Sequence, residues 1–324
     1  MDARERYFWD LNGYLVVKGV LSRQEVDEAN EIVDRHSDEI RVGGNTARNS
    51  KAFEGTGRPE LPGILEFPKP DCDPFRRLLA HPALVSRLRV MCGAGFRLDH
   101  GPMFIVSVKG TAGHTMHGNG EPHRPHIAYN HQNGSPYVGG VTVAWQLTDC
   151  KPGCGGFACV PASHKSNYRT PDGVRTGDAD MGVQVQPAVE AGDLLFFMDS
   201  AQAHGAWPWK LDTGRRSILL KYSSRTSARS GVGKPVAVPE VYWDEHIVEG
   251  MTEEQRAVMW GPYSNHGGEI PFLDVTEQGQ VQVENRNDRQ TTPPKEQVAA
   301  LLKQGGDLPK ETNRWMRENA TTGT

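Results

Sequence analysis

The feature that most constrains the fold is a series of short apolar runs in the middle of the chain, each bounded by Gly, Pro or Asp. Short runs of β-branched and aromatic residues between turn-forming residues predict β-strands. The predicted strands occupy residues 96–98, 103–108, 141–147, 157–160, 183–189, 194–198 and 217–223. Many short strands joined by frequent turns are typical of two packed sheets, as in a jelly roll. The sequence therefore predicts a mainly β fold.

Helices are predicted to flank this strand series. An apolar strand at residues 13–19 is followed by Ser22-Arg-Gln-Glu25, a capping box that starts a helix running to about residue 36. Residues 74–91 repeat apolar side chains at helical spacing, which predicts a second helix packed on the sheet.

The strand pattern ends near residue 229. Beyond it, helices are predicted at residues 252–259, where another capping box occurs, and at residues 294–303. This last region shows no apolar core of its own. We therefore expect a β-domain with N-terminal helices over residues 1–229, and a C-terminal extension, residues 230–324, that packs on the barrel.

Charge and hydropathy exclude several classes of partner. The chain has 324 residues, a formal net charge of −4 and no cluster of Lys or Arg, so it lacks the field that attracts nucleic acid or anionic lipid. No run approaches the roughly 18 apolar residues that cross a bilayer, and the first residues are charged where a signal peptide is apolar. We expect a cytoplasmic protein with a small-molecule partner, no nucleic acid and no membrane contact. The five cysteines contain no Cys-x-x-Cys pair, which disfavours structural zinc.

Histidines are concentrated in one polar stretch that resembles a loop. Neutral imidazole is the commonest metal ligand, and loops at the mouth of a barrel are where ligands converge. The stretch therefore predicts a metal site, while solvated histidines in a polar loop are the alternative. The histidines concerned are His114, His117, His123, His126 and His131.

Two further positions suggest a ligand site. His204 follows the apolar strand at residues 194–198, where the chain leaves the sheet. Arg215 and Arg216 open the last predicted strand, and because side chains alternate along a strand, one of them faces inward. A buried arginine needs an anionic partner, and its planar fork suits a carboxylate. The partner is either an acid ligand or a local carboxylate such as Asp212.

The order of these elements resembles the phytanoyl-CoA dioxygenase family. The resemblance runs from about Phe8 to about Ser224, and its most specific pieces are Pro161-Ala-Ser-His-Lys165 and the spacing from His204 to Arg215. It implies a double-stranded β-helix, or jelly roll, that holds Fe(II) and 2-oxoglutarate. The implied protein is an oxidoreductase, a dioxygenase that uses dioxygen to oxidise a small molecule, with hydroxylation of a C–H bond as the expected reaction.

The resemblance also implies roles for particular residues. His204 matches the distal iron-binding histidine, and Arg215 matches the arginine that binds the distal carboxylate of 2-oxoglutarate, so Arg216 is expected to point away. The family's His-x-Asp motif is absent from residues 114–131. The triplet His126-Ile-Ala128 lies where that motif is expected, and His117-Gly-Asn119 is the second candidate, so His117 or His126 is expected to be the first iron ligand.

The missing aspartate leaves three alternatives for the chemistry. A small residue such as Ala128 in place of the carboxylate opens a position at the iron, as in related halogenases, so that a halide could bind. Glu121 or another histidine could instead supply the third ligand. In the remaining alternative the site has decayed, and the protein is a jelly roll that binds a metal or ligand without oxidising it.

Overall fold

The computed structural model describes residues 1–119, 128–225, 227, 238–243, 245–262 and 269–287. They form two compact units: Met1–Pro74 with Gly101–Lys221, and Phe75–His100 with the residues from Tyr222 onward. The predicted division at residue 229 stays a prediction. Over the described residues the helices are α1 Ala3–Asn12, α2 Arg23–Arg35, α3 Asp73–Leu78, α4 Pro82–Met91, α5 Asp172–Thr176, α6 Pro239–Tyr242, α7 Glu245–Val248 and α8 Glu253–Val258.

Short strands make up most of the remaining regular structure. In chain order they are β1 Tyr14–Val17, β2 Arg41–Val42, β3 Pro59–Leu61, β4 Phe96–Leu98, β5 Met103–Ser107, β6 His114–His117, β7 Tyr129–Gln132, β8 Ser135–Val138, β9 Gly140–Gln146, β10 Gly156–Cys159, β11 Leu194–Phe197, β12 His204–Trp207, β13 Arg215–Ser224, β14 Glu269–Val275 and β15 Val281–Asn287.

Two sheets of the first unit form its jelly roll. The larger has the strand order β1-β11-β9-β13-β5-β3-β2, and the smaller has the order β10-β12-β6. Sequence neighbours are seldom sheet neighbours, which is the crossed connectivity expected of this fold. Phe157 of the smaller sheet packs on Phe197 of the larger, with 4.6 Å between ring centroids. Around them lies a buried cluster that includes Ala144, Leu195 and Trp209.

Local sequence signals place the flanking helices. Helix α2 begins after Ser22, whose hydroxyl accepts from the Glu25 backbone N–H while the Glu25 carboxylate accepts from that of Ser22. Thr252 and Gln255 form the corresponding box before α8. Both predicted starts are therefore confirmed, whereas the helix predicted at 294–303 lies outside the described residues.

Two predicted elements are wrong, and proline explains both. The single helix predicted over residues 74–91 is two helices, because Pro82 cannot donate a helical hydrogen bond and instead occupies the first turn of α4. The strand predicted at 183–189 is reduced to isolated bridges, Cys159 with Val185 and Cys150 with Val189. Pro187 lies between the bridges and has no N–H to donate to a ladder.

The second unit has a buried ion pair and its own apolar cluster. Arg97 is fully buried and donates to Asp99 at 2.7 Å and to the Ser227 carbonyl at 2.8 Å. Val238, Trp260 and Ile270 form an apolar cluster nearby in the chain's last described segments. No helix among the described residues is long and apolar enough to cross a membrane.

Candidate active site

Two histidines from different parts of the chain meet on the smaller sheet. Strands β6 and β12 are antiparallel neighbours, and His117 lies opposite His204 in their register. The two ring centroids are 4.2 Å apart. His204 opens β12 and is 5% exposed, so it lies within the sheet and not beyond its edge as the sequence suggested.

Backbone carbonyls orient both rings. The Nδ1–H of His117 donates to the Thr115 carbonyl at 3.1 Å, and that of His204 donates to the Gln202 carbonyl at 2.9 Å. A carbonyl can only accept, so this tautomer places the lone pair of each neutral ring on Nε2. A hydrogen bond from the second ring nitrogen to a carbonyl is the usual support for a metal-binding imidazole.

Burial keeps these imidazoles neutral. Desolvation, followed by the neighbouring His204, lowers the pKa of His117 to about 3. Desolvation also lowers the pKa of His204, although Asp199 opposes it. His114 lies beside His117, with 4.3 Å between centroids, and burial lowers its pKa to about 4. Neutral imidazole is the form that binds a metal.

A glycine allows the close approach of β6 to the segment before His204. Gly118 has φ +87°, and a Cβ there would lie 2.3 Å from the Gln202 carbonyl oxygen. The next residue, Asn119, is also left-handed at φ 58°, and its amide donates to Thr170 Oγ1 at 2.9 Å. In the triplet His117-Gly118-Asn119, asparagine stands where a His-x-Asp motif has aspartate, so this triplet contributes no negative charge.

The other candidate triplet is only partly described. Ala128 is partly buried just before β7, while His126, His123 and Glu121 lie outside the described residues. His131 is exposed on β7. The predicted metal set of His117, His126 and His204 therefore stays a prediction, and within it the structure brings together His117 and His204.

The histidine pair meets part of the requirement for a metal. Two neutral rings with oriented Nε2 atoms are suitable donors for Fe(II). Across the described residues, no three His, Cys, Asp or Glu side chains already surround one point at metal-binding geometry. The remaining ligands must therefore come from undescribed residues, from side-chain movement or from the cosubstrate.

Arg215 is buried, and no residue that the structure describes serves as its anionic partner. It is 5% exposed, its Nε has no hydrogen bond, and no ion pair joins its guanidinium to a described residue. A Cβ on Gly156 would lie 3.0 Å from this Nε, so glycine leaves room at the guanidinium. Burial lowers the pKa of Arg215, which reflects the cost of the buried charge. Asp212, the alternative partner, is instead 2.9 Å from Lys109.

Arg216 points to the opposite face, as strand alternation predicts. Its guanidinium donates to the Asn30 carbonyl at 3.0 Å and pairs with Asp34, both on α2. The two adjacent arginines therefore have different environments. Arg216 is satisfied by a helix, whereas no described residue forms an ion pair with Arg215.

Sequence reasoning missed Asp199 and Lys221. Asp199 lies in the turn between β11 and β12, where its carboxylate accepts from Thr142 Oγ1 at 2.8 Å and pairs with Lys221 of β13. Burial raises the pKa of Asp199, but Lys221 and His204 outweigh it and hold that pKa well below its usual range. No local motif marks either residue, because they meet only when β9, β11 and β13 are assembled.

In the Ser163-His164-Lys165 stretch, where the family resemblance is most specific, Ser163 and His164 form hydrogen bonds to the backbone. Ser163 Oγ donates to the Val160 carbonyl at 2.7 Å and accepts from the Ala203 N–H at 2.9 Å, so it supports the residue before His204. His164 Nε2 donates to the Asp10 carbonyl at 2.9 Å. All five cysteines are free.

One family model matches most of the chain. The family is described as Phytanoyl-CoA dioxygenase (PhyH), and the match covers residues 9–217. This family uses Fe(II) and 2-oxoglutarate, so the match confirms the predicted family, enzyme class, cofactor and cosubstrate. A comparison with curated proteins gives no match.

Solved structures share the fold at low identity. HygX from Streptomyces hygroscopicus, with nickel, 2-oxoglutarate and hygromycin B bound, is 19% identical, with a TM-score of 0.57 over 71% of this chain and 90% of its own. HygX with iron bound is 19% identical, with a TM-score of 0.55 and the same coverage. The non-heme alpha ketoglutarate dependent epimerase SnoN from nogalamycin biosynthesis is 22% identical, with a TM-score of 0.50 over 69% and 82%. These likenesses confirm the jelly roll.

Proposed function

We propose, from the premise that this chain belongs to the phytanoyl-CoA dioxygenase family, that it hydroxylates a C–H bond of a small molecule. The reaction would consume dioxygen and 2-oxoglutarate. The observation that carries the proposal is the buried Arg215, which has no anionic partner among the described residues of the jelly-roll unit, the unit that also holds the paired His117 and His204.

Arg215 is suited to bind the distal carboxylate of 2-oxoglutarate. Its guanidinium presents a planar fork of donors that can hold a carboxylate bidentately. The desolvation cost of this buried arginine is already present in the fold, so an incoming carboxylate finds an unsatisfied cation. No Asp or Glu of the described chain competes for Arg215, which supports a ligand role over a structural one.

His117 and His204 are the residues that would hold Fe(II). Their Nδ1 atoms are engaged by backbone carbonyls, which leaves each Nε2 for the metal. When bound, Fe(II) would allow dioxygen to act as the oxidant of a C–H bond, with 2-oxoglutarate giving the second pair of electrons as it is converted to succinate and carbon dioxide. Phe197 lies 4.7 Å from the His204 ring, and Phe157 lies on its other neighbouring strand, so apolar rings help to exclude water there.

The substrate is proposed to be a small molecule. HygX, which shares the fold, has been crystallised with hygromycin B bound. The present chain carries no strong positive field for a polyanion, since its net charge is −4. The protein itself is proposed to be cytoplasmic.

An anaerobic titration tests the proposal. Metal-free protein is mixed with Fe(II) and then with 2-oxoglutarate, and the weak visible charge-transfer band of the chelated complex is recorded. We expect a band in the wild type and in Arg216→Ala, and its loss in Arg215→Ala. Formation of succinate from 2-oxoglutarate then shows turnover. Failure of the wild type to bind either component would contradict the proposal.

A halide-binding variant is the second candidate function. Neither His117-Gly118-Asn119 nor the triplet ending in Ala128 carries the family's carboxylate, which leaves a metal position for another anion. A change in the charge-transfer band on addition of chloride, with fluoride as the control salt, would favour this candidate. An unchanged band would favour hydroxylation.

A further inference from the structure

A buried carboxylate lies in the turn that leads into His204. Asp199 accepts hydrogen bonds from Thr142 Oγ1 at 2.8 Å and Ser200 Oγ at 3.2 Å, and it pairs with Lys221. The side chains of the ion pair are 19% and 7% exposed. A buried ion pair contributes little net stability because both charges lose their hydration. Stability alone therefore does not account for this ion pair, and its position beside the paired histidines indicates a role there.

The backbone ties Asp199 to both histidines. A Cβ on Gly118 would lie 3.0 Å from the Asp199 carbonyl oxygen, so the residue after His117 runs against the same turn. Gln202, three residues after Asp199, provides the carbonyl that orients His204. The turn from Asp199 to Gln202 therefore carries both the Asp199 carboxylate and the carbonyl that orients His204. The same turn contacts Gly118, the residue that follows His117.

The carboxylate of Asp199 lies near the paired rings. Phe197 packs on the ring of His204, with 4.7 Å between centroids, and Thr142 lies opposite Phe197 in the register of β9 on β11. Thr142 Oγ1 donates to the Asp199 carboxylate at 2.8 Å, so Phe197 and Thr142 connect His204 to this carboxylate through direct contacts. A charge acts over several ångströms in a buried site, so a cation bound at the rings would lie in the field of Asp199.

The proposed metal position needs negative charge. Its two imidazoles are neutral, and Asn119 replaces the aspartate that in this family neutralises part of the charge of Fe(II). A divalent cation held by two neutral rings in a buried site is poorly compensated. A nearby carboxylate held in a fixed orientation would supply the negative charge that the triplet His117-Gly118-Asn119 lacks.

We propose that Asp199 supplies the negative charge of the metal site, in place of the aspartate missing from the triplet His117-Gly118-Asn119. Thr142 and Lys221 fix the carboxylate, and Asp199 acts through its field without direct coordination. This arrangement agrees with the lack of a three-ligand group among the described residues. The inference rests on the proposed function, because it requires that His117 and His204 bind the metal.

The test measures the affinity for Co(II), a redox-stable substitute for Fe(II), by calorimetry and by the visible bands of the bound ion. Loss of a residue that supports a metal site outside its ligands typically weakens metal binding about 10–100-fold, and we expect this range for Asp199→Asn. Adding Asn119→Asp to that variant should restore most of the affinity, because it returns a carboxylate to the triplet.

Two controls separate charge from folding. Asp193→Asn removes a buried carboxylate at the other end of β11, where Asp193 pairs with Lys18 at 2.8 Å, and it should leave Co(II) affinity unchanged. The double variant Asp199→Asn/Lys221→Met leaves no unpaired buried charge, so it keeps the test valid if Asp199→Asn folds poorly. We expect weakened binding in this double variant also.

The outcomes distinguish this inference from the proposed function. If the wild type binds Co(II) and 2-oxoglutarate and the Asp199 variants bind Co(II) within threefold of it, Asp199 is only a structural partner of Lys221. That result would overturn the inference and leave the proposed function standing. If the wild type binds no Co(II), both are overturned. Failure of Asn119→Asp to rescue a folded Asp199→Asn variant would also contradict the charge argument.

Discussion

Replacing Arg215 with methionine should make the ligand-free protein more stable and abolish its response to 2-oxoglutarate. Arg215 is 5% exposed, and its Nε has no hydrogen bond within the jelly roll. A buried polar group without a partner costs about 1–3 kcal/mol, and more when it is charged. Methionine has a similar length and no charge, so Arg215→Met removes this cost while still filling the space beside Gly156 and Cys150.

The magnitude follows from the linkage between ligand binding and folding. At a 2-oxoglutarate concentration about 100 times its Kd, the wild type should gain about 2.7 kcal/mol. For a domain of this size one kcal/mol moves the Tm by about 2–4 °C, so the expected rise is about 5–11 °C. Without ligand, Arg215→Met should melt about 2–12 °C above the wild type, from the desolvation cost of about 1–3 kcal/mol.

The assay is thermal unfolding monitored by circular dichroism, with Co(II) present and 2-oxoglutarate varied. Arg216→Met is the matched control, since Arg216 is the adjacent arginine and is satisfied by Asn30 and Asp34. It should lose about 1 kcal/mol or less and keep the full response to 2-oxoglutarate. If Arg215→Met is less stable than the wild type without ligand and still responds to 2-oxoglutarate, Arg215 is a structural residue and the reasoning fails.

The remaining predictions concern the histidine pair and one distant ion pair. His204→Ala should abolish Co(II) retention, and full metal occupancy measured by elemental analysis would remove His204 from the ligand set. Gly118→Ala should cost about 1–3 kcal/mol more in urea unfolding than Gly110→Ala, because both have a left-handed φ but only Gly118 faces a carbonyl at 2.3 Å; equal losses would refute the close approach. The pKa of His36 is raised by Glu39, against burial, and by Asp71. The stabilisation of the folded protein by protonated His36 is therefore complete below about pH 6.5 and is lost as the pH rises through the raised pKa of this residue. His36→Gln should lower the free energy of unfolding at pH 6 and lower it much less at pH 9. A loss of stability that does not depend on pH would contradict this prediction.

Local sequence signals were sufficient for much of the fold. The capping boxes at Ser22 and Thr252 act within one helical turn, so they identify helix starts without tertiary information. Most strands of the jelly roll were found from short apolar runs, since burial and turn chemistry are both local properties. At Pro82 and Pro187 the missing N–H of proline overrides the apolar spacing that predicts a continuous element.

The candidate site depends on pairing between distant strands. Alternation along β13 predicts that Arg215 and Arg216 face opposite ways, but the absence of a partner for Arg215 is known only from its neighbours in space. The register of β6 on β12 brings His117 against His204, a contact that spacing along the chain does not specify.

By itself, the sequence determined the family, the jelly-roll class, the cofactor requirement and the opposed faces of Arg215 and Arg216, because these follow from motifs and from the two-residue period of a strand. Only the tertiary structure showed that His117 lies against His204, and that Asp199 pairs with Lys221 beside them. The physical reason is that charge and hydrogen bonding act over a few ångströms in space, and the residues that share this site lie on strands far apart in the chain.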